Sequence, residues 1–146
     1  LQNIRVFFRT NNTERSKQVR IKDQIYKEEQ QDCVSEIKCS DFNATCVGET
    51  SRQLNVRVKE HKQCMKHIPK SSDDVRKLDN KSAIALHSIE SGHTIDFDGT
   101  RILQKAFNSY KERQTAEALY IWANPNNINR RDGIQLAVPW QLIINK

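Results

Sequence analysis

The residues from Val34 to Gly48 limit what this chain can fold into more than any other stretch. Residues 34–39 alternate apolar and polar side chains, which is the period-2 pattern of a half-buried strand. Asp41-Phe-Asn43 has the composition of a turn, and residues 44–47 form a second short strand that Gly48 is expected to end. The stretch therefore predicts a β-hairpin.

A basic helix is predicted directly after this hairpin. Thr50-Ser-Arg-Gln53 has the form of a capping box, which predicts a helix that begins at about residue 51. Arg57 and His61 are four residues apart, so they share one face of that helix. The adjacent apolar stripe consists of Leu54, Val58 and Met65. Arg57 and His61 are therefore expected at the edge of the buried face, next to the hairpin.

The charge of the helical region is strongly positive. Residues 51–70 contain one acid, Glu60, and six cations: Arg52, Arg57, Lys59, Lys62, Lys66 and Lys70. Such a run is often only a solvated helix face. It also matches a surface that follows nucleic-acid phosphates with salt-dependent affinity.

Composition agrees with one small ordered domain. The chain has 146 residues, 36% of them hydrophobic, with only 4 Gly and 3 Pro, and its length allows a single packed core. The net charge of +6 favours an anionic partner, of which nucleic acid is the commonest. No run approaches the roughly 18 apolar residues of a membrane span, so we expect an intracellular protein with no membrane partner.

The remaining chain alternates loops, helices and short strands. Residues 1–30 are interpreted as a connector, with residues 4–8 as an alternative strand, and residues 31–146 as the domain. Residues 68–74 are expected to be a loop, and the residues up to Lys81 are too polar for a core element. A helix at 82–89 follows, which Gly92 ends.

The last third of the chain is predicted to add strands and one longer helix. One or two strands are expected around the turn dipeptide Asp98-Gly99. Ser109-Tyr-Lys-Glu112 is a capping box that opens a helix to Ala123, and residues 134–144 are expected to pack back on the body. The fold class is thus α/β (α+β), with a small, mostly antiparallel three-stranded sheet flanked by helices.

The motifs resemble the GIY-YIG nuclease family. Residues 46–61 are similar to the second half of its defining motif, in which Tyr-Ile-Gly precedes a helix with Arg and His four apart. Further marks of the endonuclease domains of Penelope-like retroelements are similar to residues 80–87, 91–97, 117–121 and 127–133. The resemblance implies a DNA endonuclease, located in the nucleus and following a reverse transcriptase in a longer chain.

The resemblance also implies a set of catalytic residues. Arg57 would be a catalytic cation, because a guanidinium offers a fixed fork of donors to phosphate oxygens. Glu117 would bind the single divalent metal, Mg²⁺ or Mn²⁺, because a hard ion with a largely aqueous shell suits one carboxylate. His61 would transfer a proton or orient the water, since its ordinary pKa lies near neutrality. Asn129 resembles the asparagine near the end of these domains, with Asn126 and Asn127 as alternatives.

The chain departs from the family where the attacking water would be activated. Ser35 and Cys46 occupy the positions of the two motif tyrosines. Both side chains are shorter than tyrosine, and a thiol is a poor base at pH 7. We therefore expect weak or absent cleavage, with a non-catalytic DNA-binding remnant as the alternative. In either case Arg52, Lys59, Lys62, Lys66 and Asn129 are the candidate DNA contacts.

A zinc site is implied with one ligand missing. The Penelope-like pattern of two cysteines and two histidines is matched by Cys39, His87 and His93, while Phe42 stands at the position of the second cysteine. Three ligands and a water can hold Zn²⁺, more weakly than a closed tetrahedral site, and Cys46 is a candidate fourth ligand. The alternative is that Cys39 is a small core residue and His87 a helix-surface residue. A third class of function is accordingly a zinc-stabilised structural module.

Overall fold

The predicted hairpin forms two strands of a three-stranded antiparallel sheet. In the computed structural model, which describes residues 25–130, the strands are β1 (Cys33–Cys39), β2 (Thr45–Thr50) and β3 (Ile95–Lys105), in the order β2-β1-β3. The helices are α1 (Leu54–Cys64), α2 (Ser72–Lys81), α3 (Ala83–Ser91) and α4 (Tyr110–Ala123), with a short 3-10 turn at Lys27–Glu29. This architecture confirms the predicted α+β class with a small antiparallel sheet flanked by helices.

The sheet carries an apolar layer on each face. On one face Ile37, Cys39 and Cys46 pack against Ile84 of α3. On the other face Val34 and Val47 pack against Ala116 of α4 and against Phe107, which precedes that helix. Both layers follow from the alternation of side chains along β1 and β2. The sheet is thus held between α4 on one side and the α1 and α3 helices on the other.

The start of α1 differs from the prediction. The helix begins at Leu54, and its N-cap Gln53 makes no side-chain capping bond, so the capping box at residues 50–53 is wrong. Thr50 instead ends β2, and its Oγ1 accepts a hydrogen bond from the Arg52 amide at 3.1 Å. The strand therefore continues through Gly48, which was expected to end it.

The start of α4 agrees with the prediction. The Ser109 hydroxyl accepts the Glu112 amide at 3.2 Å, and the helix ends at Ala123 as expected. The Glu112 carboxylate reaches back to the amide of Asn108 at 2.9 Å. This cap fixes the helix that carries Glu117.

Residues 95–105 form one strand where one or two were expected. Between the pairs Glu36–Arg101 and Lys38–Asp96 the β3 strand advances five residues while β1 advances two, so the excess bulges out. Gly99 lies in this bulge, where an added Cβ would meet the Asp96 carboxylate at 2.0 Å. The predicted Asp98-Gly99 turn is therefore a bulge inside a continuous strand.

Residues 72–81 form a helix, which begins inside the loop predicted at residues 68–74. None of the residues of α2 is buried, so its polarity concealed it. The Ser71 hydroxyl accepts the Asp74 amide at 3.2 Å, and Asp73 and Asp74 favour the positive end of the helix dipole.

Several predictions concern residues that the structure does not describe. The strand alternative at residues 4–8, the tail at 134–144 and most of the connector at 1–30 lie outside residues 25–130. At the end of the connector, the Gln30 carbonyl accepts a hydrogen bond from the Leu54 amide at 3.0 Å. Within residues 25–130, no helix is both long and apolar enough to cross a membrane.

The outer edge of β2 is covered by the segment that follows α4. The Thr45 amide donates to the Asn126 carbonyl at 3.0 Å, and the Ile128 amide donates to the Thr45 carbonyl at 2.9 Å. Thr45 and Asn127 form a parallel bridge. This pairing places Asn129 beside Val47, at the end of the sheet where α1 begins.

Candidate functional site

A cavity of about 220 Å³ lies between β2, α1, α4 and the start of α3. Arg57 and Glu117, 60 positions apart in the sequence, both line it. The lining also includes Cys46, His61 and Asn129. The structure thus brings together five of the residues that were singled out from the sequence.

Glu117 is half-buried and enters the cavity from α4. Its Oε1 accepts a hydrogen bond from the backbone amide of Glu49 at 3.1 Å. Burial raises the pKa of the Glu117 carboxyl, and the nearby Arg57 opposes this only in part. A half-buried carboxylate of this kind is stabilised in its charged form by a cation in the same cavity.

Arg57 enters the cavity from α1. One of its terminal nitrogens donates to Oε2 of Glu60 at 3.3 Å and the other to the Lys81 carbonyl at 3.3 Å. Glu60 is also bound by Arg52 through two hydrogen bonds of 2.5 and 2.9 Å, which are the main cause of its lowered pKa. Since Glu60 is held mainly by Arg52, the long contacts of Arg57 can be exchanged for an anion in the cavity.

His61 is a buried link between α1 and α3, and the premise of a near-neutral pKa is wrong. Its Nδ1 lies 2.7 Å from the Ser82 hydroxyl, which also accepts the Ala85 amide at the start of α3. Burial, and secondly the charge of Arg57, lower the pKa of His61 to about 4. The imidazole is therefore neutral at pH 7.

Neither residue at the tyrosine positions is placed to act as a base. Burial raises the pKa of the Cys46 thiol to about 12, so it stays protonated at neutral pH. Ser35 is buried and does not line the cavity. Its hydroxyl lies 3.5 Å from the carbonyl of its cross-strand partner Gly48.

Asn129 uses its side-chain amide to bind the backbone of β2. Its Oδ1 accepts the Val47 amide at 2.7 Å, and its Nδ2 donates to the Val47 carbonyl at 2.6 Å. The side chain thus replaces a neighbouring strand at this position. In this structure Asn129 supports the wall of the cavity.

The predicted DNA-contacting lysines lie away from the cavity. Lys59 is two residues after Arg57 on α1, about 200° around the helix, so it lies on the opposite side. Lys66 follows the end of α1 and does not line the cavity. The Lys62 ammonium lies 5.2 Å from the centre of the Phe97 ring. Lys59 and Lys62 are therefore on a different surface of α1 from Arg57 and the candidate catalytic cavity.

Several lining residues were missed by the sequence reasoning. Lys81 and Arg130 bring further cations to the cavity, and Asp79 brings a second carboxylate. Arg130 bonds Asn80 at 2.9 Å and lies 3.6 Å from Asp79. Asp79 and Lys81 lie on α2, a helix with no buried residue, and Arg130 lies in the segment after α4. Only the motifs at residues 80–87 and 127–133 marked these regions in the sequence.

A second cluster lies on the same face of the sheet, at the far end of β1. The ligand atoms of Cys39, His87 and His93 all lie within 4.8 Å of one another. Nδ1 of His93 is 3.2 Å from Nε2 of His87. Two nitrogens bound to one tetrahedral Zn²⁺ are about 3.3 Å apart, so the histidine pair fits such an ion.

The fourth side of this cluster is occupied by an aromatic ring. Phe42 stacks on the His93 ring with 6.1 Å between centroids, and it remains 63% exposed. Cys46 is not a member of the group found within residues 25–130 and lines the other cavity, so the structure does not support it as the fourth ligand. Three protein ligands leave one position of a tetrahedral ion open to water.

Comparisons of this chain with protein-family models, with curated proteins and with solved structures gave no match.

Proposed function

We propose that this chain is a metal-dependent DNA endonuclease domain of the GIY-YIG type, with low turnover. The observation that carries the proposal is the shared cavity of Arg57 and Glu117 beside the hairpin. Phosphodiester hydrolysis needs positive charge at the phosphate and an activated water. The Arg57 guanidinium, and a cation held by the Glu117 carboxylate, would supply the positive charge at the phosphate.

Arg57 would bind the scissile phosphate. Its guanidinium is charged at every physiological pH and presents donors in the fork that phosphate oxygens accept. The 3.3 Å contacts with Glu60 and Lys81 hold it at the cavity in the absence of substrate. In the transition state the same donors would stabilise the charge that develops on the phosphate oxygens.

Glu117 would hold the divalent ion, Mg²⁺ or Mn²⁺. A half-buried carboxylate with a raised pKa and one oxygen already bound to the Glu49 amide fits an ion that keeps mostly water ligands. When bound there, the ion would supply positive charge at the phosphate and make water more acidic. The role of Glu117 itself is to be deprotonated and held in place.

Low turnover follows from the groups around the attacking water. Cys46 stays protonated, His61 is engaged through Nδ1 with Ser82, and Ser35 is outside the cavity. Within the described residues, no side chain at the tyrosine positions can therefore accept the proton of the water at neutral pH.

Nicking of a supercoiled plasmid in Mg²⁺ or Mn²⁺ tests this proposal. Slow conversion to the nicked circle is expected for the wild type and a markedly lower rate for Glu117→Gln. Glu90→Gln, which changes an exposed carboxylate of α3, is the matched control and should retain the wild-type rate. Equal rates for wild type and Glu117→Gln would reject the role of Glu117.

A structural zinc site is a second candidate function, favoured by the 3.2 Å separation of the two histidine nitrogens. We propose that Cys39, His87 and His93 bind Zn²⁺ and join the end of β1 to α3. Burial, and secondly the charge of His93, lower the pKa of His87, which keeps its imidazole neutral and able to bind metal. Stoichiometric zinc in the purified protein, and its loss in Cys39→Ser, is the expected result.

A further inference from the structure

A second cavity, of about 390 Å³, lies between the C-terminal end of α1, the loop after it and α2. Its walls include the apolar side chains of Ile68, Pro69 and Leu78. Ile68 is 74% exposed, although it is a large apolar residue. An open cavity with apolar walls is suited to a ligand that has a flat apolar part.

Cations surround these apolar walls. Lys70, Lys77 and Lys81 line the cavity against one acid, Asp74, which gives a local charge of three minus one, or +2. His67 also lines it and is exposed on the surface. The combination of apolar walls, an imidazole ring and ammonium groups matches a nucleotide, whose base is flat and whose phosphate is anionic.

Lys81 connects this cavity to the candidate active site. Its residue lines both cavities, and its carbonyl accepts the hydrogen bond from Arg57 at 3.3 Å. A DNA strand whose phosphate lies at Arg57 would therefore pass Lys81 before it enters the second cavity. Lys59 and Lys62 of α1 line neither cavity.

We propose that the second cavity binds an unpaired nucleotide of the strand being cut, next to the scissile phosphate. The base would pack on Ile68 and Pro69 with His67 as the stacking ring, and Lys70 and Lys77 would bind the phosphates. This inference rests on the proposed function, since the strand it describes is the substrate of the first cavity. It assigns DNA binding to α2 and the loop before it, and away from the outer face of α1.

Two charge-matched double variants test the proposal. Lys70→Ala/Lys77→Ala and Lys59→Ala/Lys62→Ala each remove two exposed lysines. Binding of a labelled short single-stranded DNA is measured by fluorescence anisotropy over a salt series, in full chains that also carry Glu117→Gln and without added divalent ions. The first variant should weaken binding, and the slope of log affinity against log salt should fall by about 1.4, at about 0.7 per phosphate contact. The second variant should leave that slope unchanged.

His67→Ala tests the stacking part of the proposal. It should weaken single-strand binding by at least about fivefold, the lower end of base stacking measured by alanine substitution, and leave binding of the matching duplex unchanged. Equal losses in the two double variants, or single-strand binding unaffected by His67→Ala, would overturn the inference. This experiment measures binding and not cleavage. A wild-type protein that does not cleave DNA would therefore count against the nuclease proposal, while the binding data would still test the nucleotide site in the second cavity.

Discussion

Arg113 and Glu117 lie four residues apart on α4, and both bind Glu49 of β2. Nε of Arg113 donates to Oε2 of Glu49 at 2.8 Å, and the backbone amide of Glu49 donates to Oε1 of Glu117 at 3.1 Å. The other end of the Arg113 guanidinium donates to Asp32 at 2.6 Å. Glu117, the carboxylate proposed to bind metal, is thus held by the backbone of Glu49. The side chain of Glu49 is in turn held by the buried Arg113.

Removal of the Arg113 guanidinium should destabilise the fold. Arg113→Ala leaves the partly buried carboxylates of Asp32 and Glu49 without their shared cation, which we expect to cost about 2–3 kcal/mol. Arg113→Lys should recover only part of this, because an ammonium cannot span both acids as a planar fork does. Urea unfolding measures both variants. Lys111→Ala, at an exposed position of the same helix, should change the free energy of unfolding by no more than about 0.5 kcal/mol, and an equal effect of Arg113→Ala would contradict this account.

Protonation of His61 should destabilise the protein in mild acid. The pKa of His61 is about 4 in the folded chain against an ordinary value of 6.5. Above pH 6.5 the imidazole is neutral in both states, and as the pH falls toward 4 only the unfolded chain takes up the proton. The free energy of unfolding should therefore drop by up to about 3 kcal/mol over that interval.

The variant His61→Asn isolates this effect, because an amide can keep the contact with Ser82 but does not titrate. Its free energy of unfolding, measured by urea titration at several pH values, should depend less on pH between 6.5 and 4 than that of the wild type. Parallel pH profiles for the two proteins would show that His61 is not the group responsible.

The predicted zinc site can be closed by a single substitution. Phe42→Cys would restore the fourth ligand beside His93, and the affinity for Zn²⁺ should rise by at least about tenfold, or about 1.4 kcal/mol. Competition with a chromogenic chelator measures the change. Phe42→Ser removes the same ring without adding a thiolate and is the control, and an equal gain for both variants would assign the effect to the loss of the ring.

The two tyrosine positions should respond differently to restoration. Ser35 pairs with Gly48, which lines the cavity and has open space where its own Cβ would stand, so a ring at position 35 would extend toward that space. Cys46 is packed with Ile37 and Ile84, and Cys46→Tyr should cost about 1–3 kcal/mol by overpacking. We expect Ser35→Tyr to increase nicking in the plasmid assay at little cost in melting temperature. If the double variant Ser35→Tyr/Cys46→Tyr does not cleave DNA but still binds it tightly, the protein is better described as a non-catalytic DNA-binding remnant.

Local sequence patterns predicted the sheet and the helix that carries Glu117. The alternation along β1 and the cap at Ser109 are local signals that tertiary contacts reinforce. The capping box at Thr50 was wrong because β2 pairs with β1 through to that residue, and pairing outweighed the local preference. The helix α2 was missed because its stability comes from its cap and end charges and not from a buried stripe.

The candidate site was harder to predict from the sequence than the fold was. The spacing of Arg57 and His61 correctly gave a shared helix face, but it could not show that His61 is enclosed by Ser82 and loses its near-neutral pKa. Burial by distant residues decides a pKa, and this information is absent from local spacing. The same limit concealed Arg113, whose acidic partners lie 64 and 81 positions away in the sequence.

A double-mutant cycle on plasmid nicking tests most directly whether Arg57 and Glu117 act on one phosphate. The rates of wild type, Arg57→Ala, Glu117→Gln and the double variant are measured in Mg²⁺ at one pH. Residues that act as a unit give non-additive losses. The account predicts slow nicking by the wild type, a loss in each single variant, and a double variant no slower than the slower single one. No nicking by the wild type, or losses that multiply in the double variant, would contradict it.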